Sequence, residues 1–184
     1  MVDAAAMEPA SVALPVGNYA ALYSVLQRAA AAARTLPNRV ADQFRTLVAK
    51  MPATTEAERL VVQRVGQNLF RDALLDYWQG ACCVTGLAVP ALLRASHIKP
   101  WALCADDNQR LDVFNGLLLA PHLDALFDGG WMTVNDDGSV VISPQLSHAA
   151  RVALGAAEDR WHVDRLTAAH RQYLTFHRQN VFRR

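Results

Sequence analysis

Lysine is almost missing from this chain. Of its 18 Lys and Arg side chains, Lys50 and Lys99 are the only lysines, and arginine supplies the rest. Arginine suits phosphate through its planar fork, although a GC-rich genome produces the same bias through codon usage. Cysteine is scarce too, with Cys82, Cys83 and Cys104 alone. An odd count with two neighbours in sequence excludes a disulfide framework, and the lack of any CxxC pair argues against a structural zinc knuckle. Small buried thiols in a reducing compartment are the expectation. No apolar run is long enough to span a bilayer, so no membrane partner is expected. The opening "MVDAAAMEPASVALP" carries Asp3 and Glu8 where a secretory leader would carry positive charge. The expectation is therefore no leader and a cytoplasmic protein. A net charge of +1 is too small to name a partner. There is no internal repeat.

What is present is apolar mass and helical periodicity. A hydrophobic content of 52% over 184 residues is ample for one packed domain, or for one small domain with a helical extension. Residues 1–17 lack periodicity and read as unstructured. "NYAALYSVLQRAAAAAR" reads as a helix rich in Ala and Leu, which Pro37 ends. "NRVADQFRTLVAKM" places Val40, Phe44, Leu47 and Val48 on one stripe, closed by Pro52. A third helix opens with the capping-box pattern of Thr55 and Glu58 and runs to Trp78. Gly66 interrupts it and suggests close approach of another backbone. The pattern then changes. Turn signals at Gly86 and Pro90 frame short apolar runs, "WALCADDNQRLDVF" reads as a loop, and "NGLLLAP" as a strand. "HLDALFDGG" reads as a short helix, "WMTVNDDGSVVIS" as a hairpin about Asp137-Gly138, and two helices are expected near 147–154 and 165–181. The tail is basic, with Arg165, Arg171, Arg178, Arg183 and Arg184 beside His170 and His177. Such a tail suits a nucleic acid backbone or a solvated helix face.

The residues that carry chemistry lie in the middle. Phosphodiester hydrolysis needs a base that takes a proton from water near neutral pH, and histidine is the usual choice. It also needs a cation for the charge that develops, commonly a divalent metal held by oxygen or imidazole. An acceptor must hold the base in one tautomer. His97 in "ASHIKPW", Asn115, His122 and Asp124 are side chains of the right types. A strand ending in His97, a loop, a second strand after Asn115 and a short helix with His122 and Asp124 would bring them to one small cleft. Taken alone, His97 is more often a core histidine than a base, and Asn115-Gly116 is an ordinary turn signal.

"LLRASHIKPW", followed by "RLDVFNGLLLAPHLDALFDGG" and a hairpin, resembles the HNH endonuclease family with its ββα-metal fold. "CVTG" at Cys83 and the stretch at residues 63–78 resemble the flanks of one bacterial subgroup, so the resemblance spans about 63–143. With the helical N-terminal region (18–53), which resembles no family and has no assigned role, it implies an α+β protein: a nuclease domain (54–184) with its core near 80–143, a β-hairpin and C-terminal helices. It implies hydrolysis of DNA with a divalent metal, Mg²⁺, Mn²⁺, Ni²⁺ or Zn²⁺, and a restriction or defence role. His97 matches the general base. Asn115 matches the middle residue, which binds metal or orients the base, and His122 supplies the last letter. Asp124 fits the usual spacing of the helix ligand better than His122 does. Ser96 stands where many relatives have a metal-binding Asp or His. Lys99, Arg94, Arg71 and Arg64 are the candidate phosphate contacts, and Asp128 reads as a cap or an Arg partner. A homodimer would let one site per chain cut both strands. The alternatives are a DNA-binding module without catalysis and a toxin or effector nuclease.

Overall fold

The computed structural model describes residues 17–34, 36, 38–156 and 161–184. The expectation for residues 1–17 falls almost wholly outside them. Three helices come first: α1 (Tyr19–Arg34), α2 (Arg39–Val48) and α3 (Glu56–Tyr77). The start of α3 is the capping box expected from sequence. Thr55 Oγ1 accepts the Glu58 N–H at 3.2 Å, and Glu58 Oε2 accepts the Thr55 N–H at 2.9 Å. The buried face of α3 carries Gly66, Phe70, Ala73 and Leu74, a helical stripe turned toward the rest of the molecule. In α2, Val40, Ala41 and Phe44 belong to the same buried cluster as Phe70 and Leu111.

A two-stranded antiparallel hairpin follows. Strand β1 (Arg94–His97) pairs with β2 (Gly116–Leu119), with Ser96 opposite Leu117 and His97 opposite Gly116. Every residue of β2 is buried, as expected of a strand covered on both faces. One cover is α3. Against β1 packs α5 (Pro121–Asp128), which buries Leu123, Leu126 and Phe127. Pro121 sits in the first turn of α5, where its missing N–H costs nothing. The chain then forms a second hairpin, β3 (Met132–Val134) with β4 (Val140–Ile142). The helices α6 (His148–Ala153) and α7 (Ala168–Asn180) close the described chain, and α7 lies against β3 and the turn at Val113–Asn115. Helices flanking two small antiparallel hairpins make this an α+β fold.

Two expectations need correction. The stretch after Trp101 is more than loop, because α4 (Asp107–Arg110) forms one helical turn there. Asp106 caps it by accepting the Gln109 N–H at 2.9 Å, a short-range device that hydrophobic periodicity does not reveal. Gly66 does not admit a backbone. A Cβ there would stand 3.1 Å from Trp101 Cη2 and 3.3 Å from Phe44 Cε2, so the glycine makes room for two aromatic side chains.

Candidate active site

His97 is the last residue of β1 and faces α3. Its ring lies flat on Phe70, with centroids 3.9 Å apart and planes 15° apart. The edge of Trp101 meets it at 5.4 Å and 89°. Nε2 lies 2.8 Å from the Arg110 carbonyl oxygen. A carbonyl only accepts, so Nε2 carries the proton and Nδ1 carries the lone pair. Nδ1 makes no hydrogen bond, and His170 Nε2 is the one fully buried side-chain polar atom without a partner among the described residues. Nδ1 is therefore not sealed from solvent. Burial lowers the pKa of His97 to about 4, against the opposing effect of the Arg110 carbonyl. At neutral pH this is an unprotonated imidazole in one tautomer, with its basic nitrogen open to water.

Asn115 organises the loop that carries the Arg110 carbonyl. It is fully buried. Oδ1 accepts the Lys99 N–H at 2.7 Å, while Nδ2 donates to the Gln109 carbonyl at 3.0 Å and the Lys99 carbonyl at 3.3 Å. Nδ2 also meets Cys104 Sγ at 3.4 Å. One amide thus ties both ends of the segment between the strands. The expectation of Asn115 as a metal ligand does not match this geometry, because its amide is buried and turned to backbone. Its bearing on His97 runs through the loop.

On the other face of β1 the neighbours are acidic. Consecutive strand residues point to opposite faces, so Ser96 turns toward α5 where His97 turns toward α3. Ser96 is buried, and its hydroxyl lies 3.5 Å from Asp128 Oδ1. Asp124 and Asp128 are four residues apart and share a helix face. Burial raises the pKa of both carboxyls, and the charge of Asp124 raises that of Asp128 further. Hydrogen bonding from Ser96 works against both shifts, and Arg94 favours the charged form of Asp124. His122 is the second residue of α5 and is exposed. Two positions apart on a helix point about 200° from each other, so His122 and Asp124 do not converge. Because α5 already includes His122, no non-helical lead-in turns its ring toward the Asp124 carboxylate.

The candidate phosphate contacts divide. Arg71 donates to the Leu93 and Pro90 carbonyls at 2.7 Å each and pins the turn before β1, so the expectation of a phosphate role is corrected to a structural one. Lys99 Nζ is held by Gln109 Oε1 at 2.9 Å and lies 5.2 Å above the Phe176 ring. Arg64 pairs with Gln67 at 3.0 Å on the exposed side of α3. Arg94 is exposed on β1 beside Asp124. Sequence reasoning missed Phe70 as the platform under His97, since a phenylalanine on a helical stripe reads only as core. Asp128, read from sequence as a cap or an Arg partner, lies beside Ser96 and Asp124.

An antiparallel hairpin with a histidine closing its first strand, an asparagine-pinned loop and an acidic helix packed on the hairpin make up the ββα arrangement. Residues 82–135 match the family model described as HNH endonuclease, so this part of the chain is similar to that family. The match takes in β1, β2, α5 and β3 and stops short of α1 to α3 and of α6 and α7. No curated protein matches the chain.

Proposed function

We propose that the chain is a metal-dependent endonuclease that hydrolyses DNA phosphodiester bonds, with His97 as general base. The observation that carries this reading is the tautomer of His97: Nε2–H held by the Arg110 carbonyl, Nδ1 free and open to water. Nδ1 takes the proton from the attacking water. The imidazolium that results keeps its Nε2–H bond to the carbonyl, which favours the charged form, and the anionic phosphate beside it adds to this. A pKa near 4 keeps the base unprotonated at any pH of interest, at some loss of basic strength.

The residues present fit a hard divalent ion. Asp124 and Asp128 offer two carboxylates that repel one another, with a hydroxyl between them, and a cation there would relieve the repulsion. Mg²⁺ is commonly held by one or two carboxylates, with waters and substrate oxygens completing its shell. Among the described residues no group of three His, Cys, Asp or Glu side chains converges, which favours Mg²⁺ or Mn²⁺ over Zn²⁺ or Ni²⁺. When bound, the ion would supply charge stabilisation to the phosphate and the leaving oxygen. Arg94, exposed beside Asp124, is the candidate for phosphate contact at these carboxylates. Residues 54–184 form the nuclease unit, and α2 shares its core. A restriction or defence role fits the resemblance.

Plasmid nicking in Mg²⁺ and in Mn²⁺ tests the reading. His97→Ala should lower the rate by about 100- to 10,000-fold while duplex binding persists. Binding without cleavage by the parent would instead favour the DNA-binding module, and neither activity would remove the nuclease reading.

A further inference from the structure

The C-terminal end of α5 is acidic. Asp128 closes the helix, its last turn holds no basic residue, and a helix C-terminus adds partial negative charge. DNA lying along this helix would be repelled there. One cation is seated at this point by the other end of the chain. Gly129 and Gly130 stop α5, and Gly130 has a φ of 71°. A Cβ on Gly130 would lie 2.1 Å from the Val181 carbonyl oxygen, so only glycine lets the tail dock. The Arg183 backbone N–H donates to the Gly130 carbonyl at 2.9 Å, and Arg183 Nε donates to the Gly129 carbonyl at 2.8 Å. The guanidinium then lies 4.1 Å from the centre of the Trp131 ring.

Arg183 is exposed, yet its side chain is fixed at Nε and across its flat face. Fixing an exposed arginine costs about 2 kcal/mol of rotamer entropy. An ion pair with Asp128 would be the ordinary reason, but among the described residues Arg183 forms no salt bridge, and its two terminal nitrogens make no hydrogen bond. What remains open is the edge that forks onto two phosphate oxygens.

We propose that Arg183, seated on Trp131, is a phosphate contact for bound DNA beside the acidic end of α5, adjoining the phosphate to be cut. The proposal rests on the nuclease reading. The indole holds the guanidinium plane, the Gly129 carbonyl sets its rotation, and the terminal nitrogens carry the DNA backbone past Asp128.

The test is duplex binding by the full chain in a His97→Ala background, followed by fluorescence anisotropy over a salt series at fixed Mg²⁺. Each lost phosphate contact lowers the magnitude of the log K against log salt slope by about 0.9. Arg183→Gln should show that decrease and weaken binding alike on unrelated sequences, while Arg183→Lys should keep the parental slope. A parental slope in Arg183→Gln overturns the proposal, even if its melting temperature falls, because the residue then serves only the tail. If the His97→Ala chain binds no duplex at all, the nuclease reading itself fails and takes this proposal with it.

Discussion

At His97 three parts of the chain meet: β1 supplies the residue, α3 the Phe70 face beneath it, and the pinned loop the carbonyl that sets its tautomer. His97 and Asn115 stood out in the sequence because their types and order suit the proposed chemistry. Which nitrogen bears the proton was not, since that depends on a carbonyl 13 residues away in sequence. Arg71 shows the same limit from the other side. Its charge suggested phosphate, and only the folded turn shows two carbonyls within reach. The choice between helix residues is open to measurement. Asp124 turns toward Ser96 and Asp128, and His122 turns to solvent. Asp124→Ala should therefore abolish nicking in Mg²⁺ and Mn²⁺ and remove the rise in melting temperature those ions give the parent. His122→Ala should keep both. Calorimetric titration of Mn²⁺ into the two variants decides the matter, and tight binding by Asp124→Ala with none by His122→Ala would reverse the assignment.

Element by element, the sequence spelled out most of the fold. Capping residues, prolines and two spacing patterns mark α1 to α3, both hairpins and α5 at nearly the observed limits. What it hid was contact across elements, because a glycine in a strand does not say what approaches it. Gly116 stands opposite His97, and a Cβ there would lie 2.6 Å from Phe70 Cζ and 2.7 and 2.8 Å from the Leu74 methyls. Phe70 and Leu74 are both buried, and Phe70 also carries the His97 ring, so neither moves without consequence. Gly116→Ala should cost about 1–3 kcal/mol by overpacking. In a chain of this size that is a fall of about 2–4 °C in melting temperature per kcal/mol. Nicking should fall more than stability does, because the displaced ring is the one under the base. Melting curves and nicking rates at one temperature measure both, and an unchanged melting temperature would show that α3 is free to shift.

Across the whole molecule, histidines hold the C-terminal helix to the rest. His177 on α7 donates from Nε2 to the Phe127 carbonyl at 3.1 Å, accepts the Thr133 hydroxyl at Nδ1 at 3.0 Å, and stacks on Phe127. His170 accepts the Thr167 N–H at Nδ1 at 3.1 Å and buries its Nε2 among Tyr77, Trp78 and Phe114. Both rings are neutral in one tautomer. Burial lowers each pKa to about 4, and His97 is shifted likewise. Released into water, these rings titrate near 6.5, so between about pH 6.5 and 4 the unfolded chain binds protons that the folded one refuses. Their stability is fully present above the unfolded pKa and is lost as pH falls, by about 1.4 kcal/mol per unit for each group within that window. Asp112, Asp124 and Asp128 act in the other direction, since burial raises their pKa and folding favours their protonated forms. The urea midpoint should thus drop steeply from pH 6.5 to 5, and His170→Phe should flatten that drop while holding the cage. A midpoint that stays level to pH 5 would mean that the folded protein admits the protons, and that α7 is not held by neutral histidines.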